Sequence, residues 1–370
     1  PPPDITCKYK MLRVFLRQYQ VMILCSILFF YLGCMLTLSF IRIDCASGAT
    51  QFNKEKTNKV EYICLVLSGP DNEAKRDAIR ATWANFANNI FIENDVKLYK
   101  WNHTWTRPNI QQDTIKVLFA IGTQGLNKIK LEKLVTENSR SNDLLLLDSY
   151  EDSYKNLTNK LIHSMQWLRT NFDNLRYLIK CDDDSFLRID SIVRDLEAYA
   201  PDMNDPVINK YVTKKGNHLN YKGLYWGYFH GHARVYMSGK WEERDWFLCD
   251  TYLPYALGGV YVISQSIVDF IVKNSDMLSQ YHAEDVSMGV WTAALGGINR
   301  VHDIRFDTQW TSRGCNNDML VRHKQTPSDM FQMYRTLVHS QGEKLCRTEN
   351  TLRKYYFYNW NVLPSMCCKS

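Results

Sequence analysis

Asp182-Asp183-Asp184 is the group whose residue types and spacing most directly carry chemistry. Three adjacent carboxylates repel one another and sit poorly in a packed turn without a cation. Mn²⁺ and Mg²⁺ prefer such oxygen ligands and keep positions open for phosphate and water. A solvated acidic turn is the plainer reading of the triplet taken alone. Its position after Leu175–Lys180 (LRYLIK), which reads as a buried strand, favours the metal, because open α/β sheets bind ligands at the carboxyl ends of their strands. Glu284-Asp285 opens an apolar helical run over 286–295. Acids suit the first turn of any helix, but a helix start beside a glycine-rich turn also projects a carboxylate into a cleft, where it can take a proton from a hydroxyl. Gly258-Gly259 stands between Tyr255 and Tyr261 and permits close backbone approach, as a hairpin bend would also require. Arg80 either faces phosphate or is an ordinary helix-surface arginine. His323, after Leu320-Val321-Arg322, has no ligand signature of its own, and a lone histidine is more often a surface or core residue.

Strands alternating with helices would position these groups. Val60–Leu67, Ile115–Gly122, Asp143–Leu147 and Leu175–Lys180 read as buried strands; Asn72–Ala84, Leu126–Glu137 and Ser153–Thr170 read as the helices between them. That order implies an α/β fold with a parallel sheet and right-handed crossovers. Further on, Tyr252–Ile263 reads as strand–turn–strand, Ser264–Val272 and Glu284–Ala294 as helices, and Met319–His323 as a short strand. Val207–Arg234 is rich in Tyr, Gly and His and shows no clear period.

The N-terminal part supplies topology. Residues 18–41 carry no charge, and 21–41 are almost wholly apolar, which is the length of a membrane-spanning helix. Lys8, Lys10, Arg13 and Arg17 precede the run against Asp4 alone, so the positive-inside rule predicts a cytosolic tail over 1–20, a signal anchor over 21–41, a short stem over 42–59 and a lumenal domain over 60–370. The tail thus accounts for half of the net charge of +6, and the modest remainder leaves a nucleic-acid partner without support. Asn102-His103-Thr104 and Asn156-Leu157-Thr158 are glycosylation sequons in keeping with a lumenal domain. Of 11 cysteines, eight fall on the lumenal side, where some are expected to pair; their pairing is open, and Cys64 lies in an apolar run that suits a free core thiol.

Arg80-Ala81-Thr82-Trp83, Lys180–Phe186 (KCDDDSF), Gly258–Ser264 (GGVYVIS) and Glu284–Gly289 (EDVSMG) stand in an order and spacing that resembles the β-1,3-galactosyltransferase family, glycosyltransferase family 31, over nearly the whole lumenal chain. Tyr252–Gly259, Glu284–Trp291, His302–Asp307, Arg313-Gly314-Cys315 and His323-Lys324-Gln325 look most like the members that extend the glycosaminoglycan linkage region of proteoglycans. The resemblance implies a GT-A fold, a Rossmann-like mixed sheet flanked by helices. It implies UDP-galactose as donor, Mn²⁺ at Asp182 and Asp184 with His323 as a third ligand, and Asp183 and Arg80 beside the diphosphate. Asp285 would be the general base, with Glu284, Gly258 and Gly259 lining the substrate site and Trp226, Tyr255 and Trp291 stacking on the acceptor. The acceptor would be Gal-β1,4-Xyl on a proteoglycan core protein. The setting would be the Golgi membrane in type II orientation, with other linkage-region glycosyltransferases as partners. Two departures from the family pattern, Cys181 before the triplet and Val260 where a third glycine is usual, leave that chemistry untouched. Transfer of N-acetylglucosamine or N-acetylgalactosamine, or sugar binding without turnover, are the rival readings.

Overall fold

A computed structural model describes residues 19–20, 22, 26, 28–32, 60–89, 114–199, 212–214 and 223–368. The chain divides into Pro1–Ala49 and Thr50–Ser370. The expected anchor over 21–41 lies largely outside the described residues, and the stem and Asn102 lie wholly outside them. Among the described residues no helix is long and apolar enough to cross a membrane.

In the second unit, unbroken apolar runs form central strands and charged, periodic runs form the helices that cover them. The elements follow as β1 (Tyr62–Leu67), α1 (Glu73–Ala81), α2 (Trp83–Asn89), β2 (Ile115–Gly122), α3 (Lys128–Ser141), β3 (Leu144–Leu147), α4 (Leu157–Asn171), β4 (Tyr177–Asp182), β5 (Phe186–Leu187), α5 (Ile189–Tyr199), β6 (Val212–Lys214), β7 (Gly223–His230), β8 (Tyr255–Ser264), α6 (Gln265–Asn274), α7 (Glu284–Ala293), β9 (Ile298–Asp303), β10 (Phe306–Asp307), β11 (Gly314–Cys315), β12 (Val321–Arg322), α8 (Pro327–His339) and β13 (Asn350–Thr351). Among the described residues the main sheet runs β3-β2-β1-β4-β8-β7-β9-β6. Strands β1 to β4 are parallel to one another, as the alternating pattern predicts. From β8 onward the sheet turns mixed, since β8 is antiparallel to both β4 and β7. The architecture is therefore a central mixed sheet flanked by helices.

Two expectations change at β7 and β8. Gly258-Gly259 is no turn, because Tyr255–Ser264 is one continuous strand. The glycines sit in a bulge instead: a step from Gly227 to Phe229 along β7 matches a step from Tyr261 to Ala256 along β8. Bulges of this kind re-aim side chains next to active sites. The Tyr-rich stretch contains β7, a buried strand. Trp226 on it is fully buried, its indole N–H donates to Asp303 Oδ2 at 2.9 Å, and its ring packs on Phe306. Trp226 therefore belongs to the core and cannot stack on an acceptor. Trp291, 3% exposed on α7, donates to the Ser279 carbonyl at 2.7 Å and is likewise a core residue.

A second sheet, β10-β12-β5, lies beyond β4. Cys315 and Cys346 are bonded, as are the adjacent Cys367 and Cys368. Cys64 is a buried free thiol, as its apolar run predicts, and Cys181 is buried and free as well. Asn156 is half-buried at the start of α4, where its sequon partner Thr158 is buried and donates to the Tyr281 carbonyl.

Candidate active site

The acidic triplet begins on the last residue of β4, and its three members diverge. Side chains two apart on a strand share a face, so Lys180 and Asp182 meet: Lys180 Nζ donates to Asp182 Oδ1 at 2.7 Å. The same ammonium, 1% exposed, contacts the Gly258 carbonyl and the Glu284 carboxylate. Burial would lower the Lys180 ammonium, but Asp182 and Glu284 raise it, so it stays charged between them. No motif announced this lysine, since an apolar run with one lysine reads as an ordinary strand.

Asp183 turns the other way. It accepts from Ser68 Oγ at 2.8 Å, Asn72 Nδ2 at 2.7 Å and Lys75 Nζ at 2.8 Å. Its carboxylate thus ties the loop after β1 to the β4 turn, and nothing in these contacts directs it to a diphosphate. Arg80 is also committed elsewhere. Its guanidinium is bonded to Asp143, Glu137 and Asp77 and lies over the Phe119 ring at 4.8 Å. The predicted phosphate contact is therefore corrected to a structural clamp between α1, α3 and the start of β3. Lys75, half-exposed beside Asp183, is the cation of α1 nearest the triplet that the sequence reading missed.

Asp184 faces His323 across 139 residues of sequence. The second sheet brings them together, because β12 pairs with β5 immediately after the triplet, with Arg322 opposite Phe186. Gln325 N–H then donates to the Asp184 carbonyl at 2.7 Å, and His323 N–H to the Asp307 carbonyl at 3.0 Å. His323 Nε2 lies 3.0 Å from Asp184 Oδ1 and 3.4 Å from Asp182 Oδ2. Ligand atoms of the three residues all fall within 4.8 Å of one another. Burial alone would lower the imidazole, yet the two carboxylates raise it to about 9. Burial opposes ionisation of Asp184 and Asp182, while His323 with Lys324 and Lys180 with His323, respectively, hold them below the ordinary carboxylate range.

The residues of the cluster suit a divalent cation. Asp184 Oδ1 and His323 Nε2 are buried and face each other at 3.0 Å without an aligned hydrogen bond, and a cation between the ligand atoms would satisfy both. Two carboxylate oxygens and one imidazole nitrogen suit Mn²⁺ and leave room for phosphate oxygens.

Asp285 enters from the opposite side of the β8 bulge. Its Oδ2 accepts from the Gly258 N–H at 2.8 Å and its Oδ1 from the Val286 N–H at 2.9 Å. Burial pushes its carboxyl up, although Lys180 and these two amides pull it down. The result is a fixed, half-buried carboxylate that is more basic than an ordinary aspartate. Glu284 beside it is buried and pushed up to about 8, with Lys180 opposing. Tyr255, 7% exposed, packs on α7 at Gly289, where a Cβ would lie 2.7 Å from the tyrosine Cβ; it shapes the wall of the site and offers little ring face to a sugar.

The two glycines explain how both halves reach one place. A Cβ at Gly258 would lie 3.0 Å from Asp285 Oδ2 and from Glu284 Oε1, and one at Gly259 would lie 2.8 Å from His323 Cγ and Nδ1. The second contact is shorter than real side chains show and falls on the stem of a rigid ring. Gly259→Ala is therefore expected to displace His323 and weaken Mn²⁺ binding at least tenfold by isothermal titration, whereas unchanged affinity would show that His323 is not a ligand.

The end of an α/β sheet thus brings a carboxylate–imidazole cluster and a fixed carboxylate to either side of one strand, the kind of arrangement an enzyme site uses. The comparisons then name the family. Residues 74–303 match the family described as Galactosyltransferase, and the chain belongs to it. It is 39% identical to mouse beta-1,3-galactosyltransferase 6 over 324 residues, 88% of this chain and 86% of the mouse protein. It is 32% identical to human UDP-GalNAc:beta-1,3-N-acetylgalactosaminyltransferase 2 over 204 residues, 55% of this chain and 35% of that protein. It is 26% identical to Xenopus laevis lactosylceramide 1,3-N-acetyl-beta-D-glucosaminyltransferase A over 273 residues, 70% of this chain and 63% of that protein.

Proposed function

We propose that this galactosyltransferase is a GT-A enzyme that moves galactose from UDP-galactose to O3 of a terminal β-galactose, with inversion, and that its acceptor is Gal-β1,4-Xyl on a proteoglycan core protein. The observation that carries the reading is the β8 bulge, where Gly258 seats the basic carboxylate and Gly259 seats the imidazole of the cation cluster. Proton acceptor and diphosphate site thereby adjoin a single dipeptide. The near full-length likeness to a protein named for β-1,3-galactosyl transfer supports the donor and the linkage.

Asp285 takes the proton from the acceptor O3 as that oxygen attacks the anomeric carbon, and UDP leaves on the opposite face. The hydrogen bonds from the Gly258 and Val286 N–H groups hold the carboxylate in place for this transfer, and burial raises its proton affinity above that of an ordinary aspartate, as a base requires. Asp182, Asp184 and His323 would hold Mn²⁺, which when bound supplies positive charge against the diphosphate. Lys180 keeps Asp182 ionised and fixed, and holds Glu284 beneath the base. The apolar run and charge bias of residues 1–41 support a membrane anchor with the catalytic unit on the non-cytosolic side, which in this reading is the Golgi lumen. The test is to incubate the protein with UDP-galactose, UDP-N-acetylglucosamine or UDP-N-acetylgalactosamine and a Gal-β1,4-Xyl glycoside. UDP release with UDP-galactose and a 1,3-linked product are expected; release with another donor alone would replace the reading.

A further inference from the structure

The surface beside the cluster carries exposed aromatic rings. Trp310, in the loop between β10 and β11, is 63% exposed. Such a ring normally gains by burial, yet this one is held in place by its neighbours. Trp241 meets it edge-on at 5.2 Å and 83°. Lys240 Nζ stands 5.7 Å from both indoles, and Lys324 Nζ 5.1 Å from Trp310. Tyr236, itself 48% exposed, packs on Trp241 at 5.9 Å.

Lys324 connects this shelf to the site. Its ammonium donates to Asp184 Oδ2 at 2.9 Å, so one side chain spans the cation cluster and the Trp310 ring. Its backbone has φ of 60°, a left-handed conformation costly for a lysine, and it follows His323 directly. Backbone outliers of this kind gather where ligands are handled.

An exposed indole with two ammonium groups over its ring suits a sugar ring. One face of a pyranose presents C–H groups to the negative ring face, and its hydroxyl oxygens accept from the ammonium. The rings predicted for this task, Trp226 and Trp291, are buried in the core. Resting on the transfer reading above, we propose that Trp310, flanked by Trp241, Tyr236 and Lys240, is the platform on which the acceptor β-galactoside stacks.

The test compares the full chain with its Trp310→Ala and Trp310→Phe variants. Stacking of this strength predicts that Trp310→Ala raises KM for the Gal-β1,4-Xyl glycoside roughly 3–10-fold, that KM for UDP-galactose moves less than twofold, and that Trp310→Phe restores most of the loss. Saturation-transfer NMR of the glycoside with UDP and Mn²⁺ reads binding without turnover, and its signal should fade in Trp310→Ala. A wild-type protein that transfers nothing but binds the glycoside through Trp310 would overturn the transfer reading and leave the platform standing. Unchanged acceptor KM and NMR signal in Trp310→Ala, no binding by the wild type, or a rise confined to the KM of UDP-galactose would each overturn the platform.

Discussion

Asp285→Asn is expected to lower kcat on the order of 10²-fold or more while UDP affinity stays within a factor of two or three. The amide is close in shape to the carboxylate, so its oxygen can still accept from Gly258 N–H and the start of α7 is preserved. What is lost is the ability to take a proton, and a positioned base contributes about 10²–10⁴-fold. A hundredfold loss corresponds to about 2.7 kcal/mol of barrier. The cation cluster uses other residues, so UDP retention separates a missing base from a damaged donor site. Single-turnover rates and UDP titration supply both readings, and near-normal turnover would remove Asp285 from the role.

Lys180→Met is expected to be the most damaging change in the sheet. It leaves Asp182 with one partner fewer and Glu284 without its cation, both near the end of β4. Removing one member of a buried ion pair costs about 3–5 kcal/mol, measurable as a lower urea midpoint. Glu284→Gln in the same background should change little near pH 7, because a carboxyl already pushed up to about 8 is neutral there once Lys180, which opposes the rise, is gone. A loss below about 1 kcal/mol in the single variant would mean that water reaches this network and that the clamp is weak.

These effects arise at positions of very different legibility in the sequence. Strands β1 to β4 were readable because a parallel sheet covered on both faces needs unbroken apolar runs. The triplet stands out as a candidate because it ends such a run. Its internal division was not readable, since Asp183 depends on Ser68, Asn72 and Lys75, more than a hundred residues away. Arg80 misled for the same reason: Glu137 and Asp143 are its partners only in three dimensions. Trp226, expected under the family resemblance to stack on an acceptor, lies on β7, which β8 and β9 flank on either side, and is buried. His323 had no local signature; family resemblance placed it, and the pairing of β12 with β5 is the physical reason it meets Asp184. Trp310 carried no signal either, because its significance lies in Lys324 reaching both its ring and Asp184.

If Asp182, Asp184 and His323 hold a divalent cation that transfer requires, UDP release from UDP-galactose with the Gal-β1,4-Xyl glycoside should stop on stripping with EDTA and return with Mn²⁺ in the wild type, with no return in Asp184→Asn. Full transfer by the stripped enzyme would exclude that role for the cluster.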